Sequence, residues 1–507
     1  GKQHVFLLPL QGGEPIQVSQ HADGAAEFAF SPDGRWLAYL EGPSGDRQMM
    51  LYDVPAGVRK TTPKRSTGVQ RIAWTRDSAA ILFTSPDSRD EAGFVRGKRG
   101  FDVKVVDEPE PPTHLWRLDL GAMSATRLTQ GSDFSVSQFA VSPDGRWVTF
   151  KSNSTNRYAD SRRSEAWLLP LDNPQGLEQL TRNEVPESLA SVSPDGKWVA
   201  LEAPDGFTPF RDEKLMVRST AGGQWRTLPK DWGEATFSAG PEGPAWSADS
   251  SKIFFTSGKG LDQLLFEITV ASGAVRTLTP AGAVYGASYH RDSDSFLLTR
   301  DTPAAPADYH FAKRANVADP ARWNRLGNAN PGVSDLSLGT YEAVQWKSTD
   351  GRMVEGILVK PVGWESGKRY PLIVQIHGGP AGAYTNRFSG SYSTYVHVYA
   401  NAGYAVFQPN YRGSTNYGEK FRMQIAGDYF RQAFDDIMAG VDELVRRGVA
   451  DPDKLGMMGW SAGGHWSNWT LTHTDRFKAI SSGAGAVNWI SMYAQTDVQA
   501  PREFYFA

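Results

Sequence analysis

A pentapeptide near the end of the chain has the residue types and spacing of a catalytic serine on a sharp turn. Gly459-Trp460-Ser461-Ala462-Gly463 follows the pattern G-x-S-x-G, which exposes a serine hydroxyl between a strand and a helix. Residues 454–458 before it predict a short buried strand, and residues 464–472 after it predict a helix. Glycines are needed there because side chains would collide with the strained turn. We therefore expect Ser461 to be the nucleophile of an acyl transfer.

A second segment offers the hydrogen-bond donors that acyl transfer requires. The apolar run Tyr370–Ile376 is typical of a parallel strand buried on both faces, and it ends in His377-Gly378-Gly379-Pro380. A glycine-rich loop at this point offers backbone N–H groups to an oxyanion. The other donor is expected to be the N–H of Ala462, the residue that follows the nucleophile.

The segments around these two motifs predict the first half of an α/β-hydrolase. Residues 403–413 read as a strand and a turn, and apolar residues follow helical spacing between positions 434 and 445. The order is therefore strand, glycine-rich loop, strand, helix, strand, serine turn and helix. Upstream, residues 341–347 and 354–360 alternate apolar and polar side chains, which predicts two antiparallel opening strands.

Composition excludes several classes of function. The formal net charge of −3 gives no basis for nucleic-acid binding or for a polybasic membrane patch. No run of eighteen apolar residues predicts a membrane span. The absence of cysteine excludes disulfides and cysteine nucleophiles, and it is compatible with either the cytoplasm or the periplasm. The histidines form no metal-binding motif, so we expect no metal or other cofactor. A homo-oligomer is left open.

The first 330 residues contain a repeat. Three copies read S-P-D-G-R/K-W and begin at Ser31, Ser142 and Ser193, and three weaker copies also carry an aspartate. The six aspartates, at 33, 77, 144, 195, 249 and 292, are 44, 67, 51, 54 and 43 residues apart, close to one four-stranded propeller blade each. Residues 4–18 read as half of a further blade. We therefore expect residues 1–330 to form a seven-bladed β-propeller whose first blade is incomplete.

Two segments interrupt this pattern. A charged, proline-rich insertion at residues 96–112 explains the spacing of 67 residues and predicts a surface loop. Its acidic run at 107–110 could steer substrates, but a solvated loop is the favoured interpretation. A linker over residues 328–338 then leads into the second domain, which we place at residues 331–507. The chain is thus expected to be multi-domain.

A propeller followed by an α/β-hydrolase resembles the prolyl oligopeptidase family of serine peptidases, with its acylaminoacyl-peptidase-like branch as the nearest match. The resemblance covers essentially the whole chain. The segments that carry it are Ile376–Pro380, Pro409–Gly418, Asp436–Asp442, Gly459–Asn468 and Thr472–Ala479. Ala462 and His465 depart from it, because the family commonly carries tyrosines at these positions. The change at Ala462 is expected to be tolerated, because Ala462 contributes through its backbone, and an altered wall of the acyl pocket is left open.

The resemblance implies further site residues. It makes Gly379 the second oxyanion donor, with Gly378 as the alternative. It also implies a primary specificity pocket that would suit an uncharged P1 residue, with ordinary core packing as an equal alternative for each residue. The residues of this implied pocket are Ala486, Trp489, Met492 and Tyr493, with Phe504 and Phe506 nearby. Arg412 is expected to hold its own loop rather than an acidic substrate.

The acid and the base of a catalytic triad are not found. In this fold the order along the chain is Ser, then Asp or Glu, then His, but only 46 residues follow Ser461. His465 and His473 read as packing or surface residues of the helix after the turn, and His377 belongs to the oxyanion loop. Asp475 and Asp497 lie too early in the fold. We therefore expect the hydrolase domain to be truncated, with the triad Asp and His beyond the chain end.

These observations favour a serine peptidase that hydrolyses short peptides through a Ser-His-Asp acyl-enzyme mechanism. A carboxylesterase that uses the same site is one alternative. A non-catalytic propeller scaffold with an inactive hydrolase half is another. Dipeptidyl peptidases of the family hold the substrate amine with paired glutamates, and no Glu-Glu dipeptide occurs in this chain, which disfavours that specificity.

Overall fold

The structure is a computed structural model of the chain. It describes residues 2–88, 100, 110–132, 134–153, 163–183, 185–208, 211–229, 243–390, 394–496 and 504–505. The described residues fall into two compact units. The first unit holds the described residues up to Ile253, and the second begins at Phe254; Arg211, Asp212 and Pro229 belong with the second unit.

Short antiparallel strands occupy the chain up to residue 325. The first hairpin pairs β1 (Phe6–Leu7) with β2 (Ile16–Gln17). Four four-stranded sheets and one eight-stranded sheet follow in the described residues. The eight-stranded sheet consists of two consecutive four-stranded meanders joined by one parallel residue pair, Gln263 with Ala283. The strands of these sheets are β3 (Ala25–Phe30), β4 (Trp36–Glu41), β5 (Gln48–Asp53), β6 (Val58–Thr61); β7 (Arg71–Trp74), β8 (Ala80–Pro86), β9 (Thr113–Asp119), β10 (Ser124–Arg127); β11 (Ser135–Val141), β12 (Trp147–Asn153), β13 (Ser164–Pro170), β14 (Glu178–Gln179); β15 (Ser191–Val192), β16 (Trp198–Pro204), β17 (Glu213–Ser219), β18 (Arg226–Leu228); β19 (Ala245–Trp246), β20 (Lys252–Lys259), β21 (Asp262–Thr269), β22 (Val275–Thr277); and β23 (Ala283–His290), β24 (Ser295–Thr302), β25 (Ala305–Lys313), β26 (Asn324–Arg325).

The repeated S-P-D-G motif forms the turn between the first two strands of a four-stranded meander. In the first copy the Ser31 hydroxyl donates to Asp33 Oδ1 at 2.5 Å and accepts the N–H of Trp36 at 2.8 Å. Gly34 adopts a φ of +72°, which glycine reaches without strain. The same hydroxyl–carboxylate contact recurs at 2.6 Å between Ser193 and Asp195. The sequence repeat therefore encodes a hydrogen-bonded turn.

These four-stranded meanders are the blades of a β-propeller, as predicted. The described residues contain six of them, and within these residues the β1–β2 hairpin pairs only with itself. The expected count of seven is therefore not confirmed. The insertion at 96–112 lies almost entirely outside the described residues, and so do positions 107–109 of its acidic run.

A six-stranded sheet organises the last part of the chain, in the order β27-β28-β30-β29-β31-β32. Its first two strands are antiparallel, as predicted, and β30, β29, β31 and β32 run parallel. The strands are β27 (Thr340–Lys347), β28 (Met353–Lys360), β29 (Tyr370–Ile376), β30 (Ala405–Asn410), β31 (Ala450–Trp460) and β32 (Phe477–Gly483). The helices are α1 (Val396–Asn401), α2 (Glu419–Arg422), α3 (Arg431–Arg446), α4 (Ala462–His473) and α5 (Trp489–Ala494). Short 3₁₀ turns lie at Pro174–Gly176, Asp205–Phe207, Arg314–Asn316, Pro320–Arg322, Pro331–Asp335 and Met423–Ile425.

The sheet core places two loops side by side. Helix α3 buries Ile437, Val441 and Leu444 in the same apolar cluster as Leu372 and Val374 of β29. Strands β29 and β31 are adjacent and parallel, with Ile376 opposite Gly459. The carboxyl ends of the two strands therefore lie together, and this is where α/β sheets carry their ligands. Among the described residues, no helix is long and apolar enough to span a membrane.

Candidate active site

Ser461 lies on a strained turn between β31 and α4. Its backbone has φ 57° and ψ −121°, a conformation that residues other than glycine rarely adopt. Two hydrogen bonds hold this backbone, from Ser461 N–H to the Gly483 carbonyl at 2.9 Å and from His465 N–H to the Ser461 carbonyl at 3.1 Å. The residue is exposed, and within the described residues its hydroxyl has no hydrogen-bond partner. The predicted strand–turn–helix arrangement is confirmed.

The glycines of the turn are required by close backbone contacts. A β-carbon at Gly459 would lie 2.3 Å from the Gly463 carbonyl oxygen, and one at Gly463 would lie 2.2 Å from the Ile376 carbonyl oxygen. A β-carbon at Gly464 would lie 2.5 Å from the carbonyl oxygen of Gly483. These distances are too short for any side chain. The turn therefore packs closely against the ends of the two neighbouring strands, β29 and β32.

The loop that follows β29 lies against this turn. A β-carbon at Gly378 would be 2.8 Å from the Trp460 carbonyl oxygen and 3.2 Å from Ser461 Cβ. Gly379 has a φ of +133°, which only glycine adopts readily. Within the described residues, the N–H groups of Gly379 and Ala462 donate to no protein acceptor. Both N–H groups thus remain available, and that of Ala462 lies at the N-terminus of α4, where the helix dipole favours negative charge.

His377 is a structural part of this loop. Its Nδ1 lies 3.0 Å from the Gly378 carbonyl oxygen, and its Nε2 lies 2.8 Å from the hydroxyl of Ser414. The ring stacks on Tyr411 with centroids 4.5 Å apart, and the Tyr411 hydroxyl donates to the His377 carbonyl at 2.8 Å. Burial lowers the pKa of His377 to about 4, so the imidazole is neutral at ordinary pH.

Arg412 holds its own loop, as predicted. Its Nη2 lies 2.6 Å from Asp436 Oδ1, and both side chains are almost completely buried. The Arg412 backbone N–H also donates to Asp436 at 2.9 Å, and its Nη1 reaches Asp350 at 2.5 Å. The Arg412 guanidinium is thus ion-paired with two carboxylates of the protein, so it is unsuited to bind an acidic substrate.

No candidate base contacts the nucleophile among the described residues. His465 Nδ1 lies 3.1 Å from the Tyr429 hydroxyl, and its ring packs edge-on against Trp489 at 4.7 Å. His473 is exposed at the end of α4 and stacks on Trp469 at 3.8 Å. His465 is a packing residue and His473 lies on the helix surface, which agrees with the expectation from the sequence. Asp497 lies outside the described residues.

The residues of the implied specificity pocket follow β32. Trp489 is half-buried and reaches His465, one helical turn after Ser461, and it also contacts Phe430 with centroids 5.7 Å apart. Ala486 and Met492 are half-buried, whereas Tyr493 keeps 43% of its surface exposed. Phe504 lies beside Tyr505, and Phe506 lies outside the described residues.

Sequence reasoning missed two residues of this region. Tyr429 packs between Trp466 and Tyr505 and bonds His465. Ser414 fixes the ring of His377. The motif Pro409–Gly418 was a signal for Ser414, because it contains that residue. The spacing of residues in the sequence predicts neither the Tyr429–His465 contact nor the Ser414–His377 contact. Within the described part of the chain, no group of three or more potential metal ligands is found.

Two family models match the chain. Residues 19–228 match the N-terminal beta-propeller domain of prolyl oligopeptidase, and residues 390–506 match the prolyl oligopeptidase family. The Bacillus subtilis peptidase YuxL is 27% identical over 98% of this chain and 78% of its own length. Dipeptidyl-peptidase 5 of Porphyromonas gingivalis is 24% identical over 100% of this chain and 75% of its own length.

A solved structure shares the fold. The uncomplexed acylaminoacyl peptidase of Pyrococcus horikoshii aligns with a TM-score of 0.74 at 21% identity. The alignment covers 99% of this chain and 76% of that protein. At this identity the match supports the architecture alone.

Proposed function

Because the chain belongs to the prolyl oligopeptidase family of serine peptidases, we propose that the protein hydrolyses short peptides through an acyl-enzyme on Ser461. The observation that carries this proposal is the turn at Ser461, whose φ of 57° exposes the hydroxyl beside an N–H-rich loop. A strained serine of this kind is the form in which α/β-hydrolases present their nucleophile.

The oxyanion of the tetrahedral intermediate is bound, in this proposal, by the N–H groups of Ala462 and Gly379. Both are without a protein acceptor in the described residues. Gly378 remains the alternative, since a β-carbon there would lie 3.2 Å from Ser461 Cβ. Removing one such donor costs about 3 to 4 kcal/mol of transition-state stabilisation.

The mechanism also needs a histidine base and a carboxylate that orients it. We assign no described residue to either role. His465 is engaged by Tyr429, and His377 is engaged by Ser414 and the Gly378 carbonyl. Neither ring is placed to take the proton of the Ser461 hydroxyl.

The pocket proposed for the P1 side chain is formed by Ala486, Trp489, Met492 and Tyr493. Trp489 packs on His465, which stands on the same helix as the nucleophile's turn. An aromatic and apolar surface favours an uncharged P1 residue, because an ionised side chain would lose its hydration there.

A second candidate specificity is the release of dipeptides. Relatives named dipeptidyl-peptidase 5 align with up to the whole of this chain. The chain lacks the paired glutamates that hold a substrate amine in other dipeptidyl peptidases of the family. We favour the release of acylated residues, because a substrate whose amine is blocked needs no paired carboxylates to bind it.

The finer organisation of the chain is part of the same proposal. We assign residues 1–330 to the propeller and residues 331–507 to the catalytic domain. The β1–β2 hairpin is proposed to belong to a seventh blade, because Val5 and Val18 share an apolar cluster with Leu37 and Tyr39 of the first complete blade. Adjacent blades of a propeller pack in this way.

Three chromogenic substrates with the same P1 phenylalanine test the function. They are an N-acetylated phenylalanine p-nitroanilide, a dipeptide p-nitroanilide with a free amine, and a longer blocked peptide. We expect hydrolysis of the acetylated and blocked substrates by the full-length protein, and loss of nearly all activity in Ser461→Ala. Preference for the free-amine dipeptide would favour the second candidate, and cleavage of the corresponding p-nitrophenyl ester alone would show an esterase.

A further inference from the structure

A hairpin of the propeller forms hydrogen bonds with the loop that follows β30. The turn between β20 and β21 contains Gly260, whose N–H donates to the Asn416 carbonyl at 2.9 Å. In return, the Asn416 side-chain amide donates to the Gly260 carbonyl at 3.1 Å. Asn416 and Gly260 thus make a two-way contact across 156 positions of sequence. Both residues belong to the second compact unit.

The hairpin fits this loop without spare room. A β-carbon at Gly258 would lie 1.9 Å from Asn416 Oδ1, and one at Gly260 would lie 2.7 Å from Glu355 Oε1. Leu261, at the hairpin tip, is 7% exposed and packs in an apolar cluster with Ile357. The contact is therefore closely packed, and glycine is required at both positions because a β-carbon would clash there.

The same hairpin also bonds a second segment, which follows the oxyanion loop in the sequence. The N–H of Asn386 donates to the Leu261 carbonyl at 2.7 Å. The Asn386 side-chain amide reaches Asp262 Oδ1 at 3.3 Å. The segment that carries Gly379 is thus attached to the propeller hairpin at its downstream end.

From Asn416 the contacts continue directly into the oxyanion loop. The N–H of the adjacent Thr415 donates to the Gly382 carbonyl at 2.9 Å. Ser414 bonds the ring of His377 at 2.8 Å. A shift of the 414–416 segment would therefore move the histidine that holds the Gly378 peptide unit.

We infer that Asn416 is a positioning residue for acyl transfer: docked on the 258–262 hairpin, it holds the oxyanion loop so that the N–H of Gly379 faces Ser461. The inference rests on the proposed function. It gives the propeller a part in the chemical step, since one of its hairpins is a structural support of the oxyanion hole. Loss of the contact should weaken transition-state binding and leave ground-state binding almost unchanged.

Two substitutions test this from opposite sides of the contact. Asn416→Gly removes the side chain and tolerates the φ of +73° found there, and Gly258→Ala displaces the Asn416 amide from the hairpin side. Matched controls are Asn401→Gly, which removes a side-chain bond to the Ser337 carbonyl at 2.9 Å, and Gly327→Ala, where a β-carbon meets nothing within 4 Å. All four are made in the full-length protein.

The readouts separate positioning from folding. For both test variants we expect kcat on a blocked peptide p-nitroanilide to fall by about tenfold or more, with KM changed less than about twofold. The Ki of the matching trifluoromethyl ketone should rise in parallel. The controls should stay close to wild type. Equal falls in the controls, or a change confined to KM, would overturn the inference.

Hydrogen–deuterium exchange of the peptide covering residues 377–390 gives a readout that needs no activity. We expect faster exchange in Asn416→Gly than in wild type and in Asn401→Gly. If kcat and exchange are both unchanged while Ser461→Ala is inactive, the inference is wrong and the proposed function stands. If wild-type protein hydrolyses nothing, the proposed function is wrong, and unchanged exchange would then reject the inference as well.

Discussion

The imidazole of His377 donates from Nδ1 to the carbonyl oxygen of Gly378, 3.0 Å away, and that carbonyl shares a peptide unit with the N–H of Gly379. In a planar trans peptide the C=O and the N–H point in opposite directions. A ring that fixes the carbonyl therefore also fixes the direction of the N–H. The buried side chain of His377 thus fixes the direction of a proposed oxyanion donor.

Replacing His377 should lower activity to the extent that the hydrogen bond to the Gly378 carbonyl is lost. We expect His377→Ala to lower kcat/KM by about 10²- to 10³-fold, the cost of one oxyanion donor. His377→Asn keeps an amide donor close to the Nδ1 position and should retain more activity than His377→Gln. Steady-state kinetics of the three variants check this order. Equal activity in all three would show that the Gly378 carbonyl is held by other groups.

The buried pair of Arg412 and Asp436 should be a large contributor to stability. Asp436→Ala leaves a buried guanidinium without its main partner, so we expect it to lower the free energy of unfolding by about 3 to 5 kcal/mol. The matched control is Asp442→Ala on the same helix, which breaks an exposed pair with Arg476 and should cost less than about 1 kcal/mol. Denaturant unfolding of the two variants measures the difference, and similar losses would contradict this account.

Glu187 in the propeller should make stability depend on pH. Burial raises the pKa of this carboxyl to about 7, although Asn183 and Thr181 donate hydrogen bonds to it. Nearby Glu165 raises the pKa further, and Lys151 lowers it. The folded state thus holds a proton that the unfolded state releases near pH 4.5, so stability falls as the pH rises from about 4.5 to 7.

The variant Glu187→Gln should remove this loss. Relative to wild type, we expect its Tm to be higher at pH 8 and little changed at pH 4.5, because the amide keeps the shape and cannot ionise. The surface substitution Glu14→Gln serves as the control and should follow wild type at both pH values. A Glu187→Gln difference that is equal at the two pH values would show that the carboxyl does not titrate in this window.

The glycines of the serine turn should not tolerate even one methyl group. In Gly463→Ala the new β-carbon would lie 2.2 Å from the Ile376 carbonyl, at the start of the oxyanion loop. We expect lower stability together with loss of most activity. Gly332→Ala, where a β-carbon meets nothing within 4 Å, should be close to neutral. Thermal melts and p-nitroanilide rates of both variants make the comparison.

Local patterns were enough to predict the elements that carry the site. The strand Tyr370–Ile376 has the predicted bounds, and helix α4 begins two residues before the predicted Gly464. Both follow from short-range signals, a continuous apolar run and a glycine-flanked serine. The propeller repeat was equally visible, since each S-P-D-G turn is closed by hydrogen bonds among neighbouring residues.

Contacts between distant segments could not be predicted in this way. The Asn416–Gly260 contact spans 156 positions, and the His377–Ser414 bond spans 37. Each depends on how two loops pack, and residue type alone does not encode this. The count of seven blades stays a prediction for a related reason, because strands of a hairpin can be recognised locally, whereas membership of a four-stranded blade depends on partners elsewhere in the chain.

The central claim is that Ser461 is an activated nucleophile, and active-site labelling tests it most directly. The full-length protein is treated with a fluorophosphonate, digested and analysed by mass spectrometry. We predict one phosphonylated residue, Ser461, and no adduct in the Ser461→Ala variant or in heat-denatured protein. An adduct on another residue, or none on native protein that hydrolyses its substrate, would contradict the assignment.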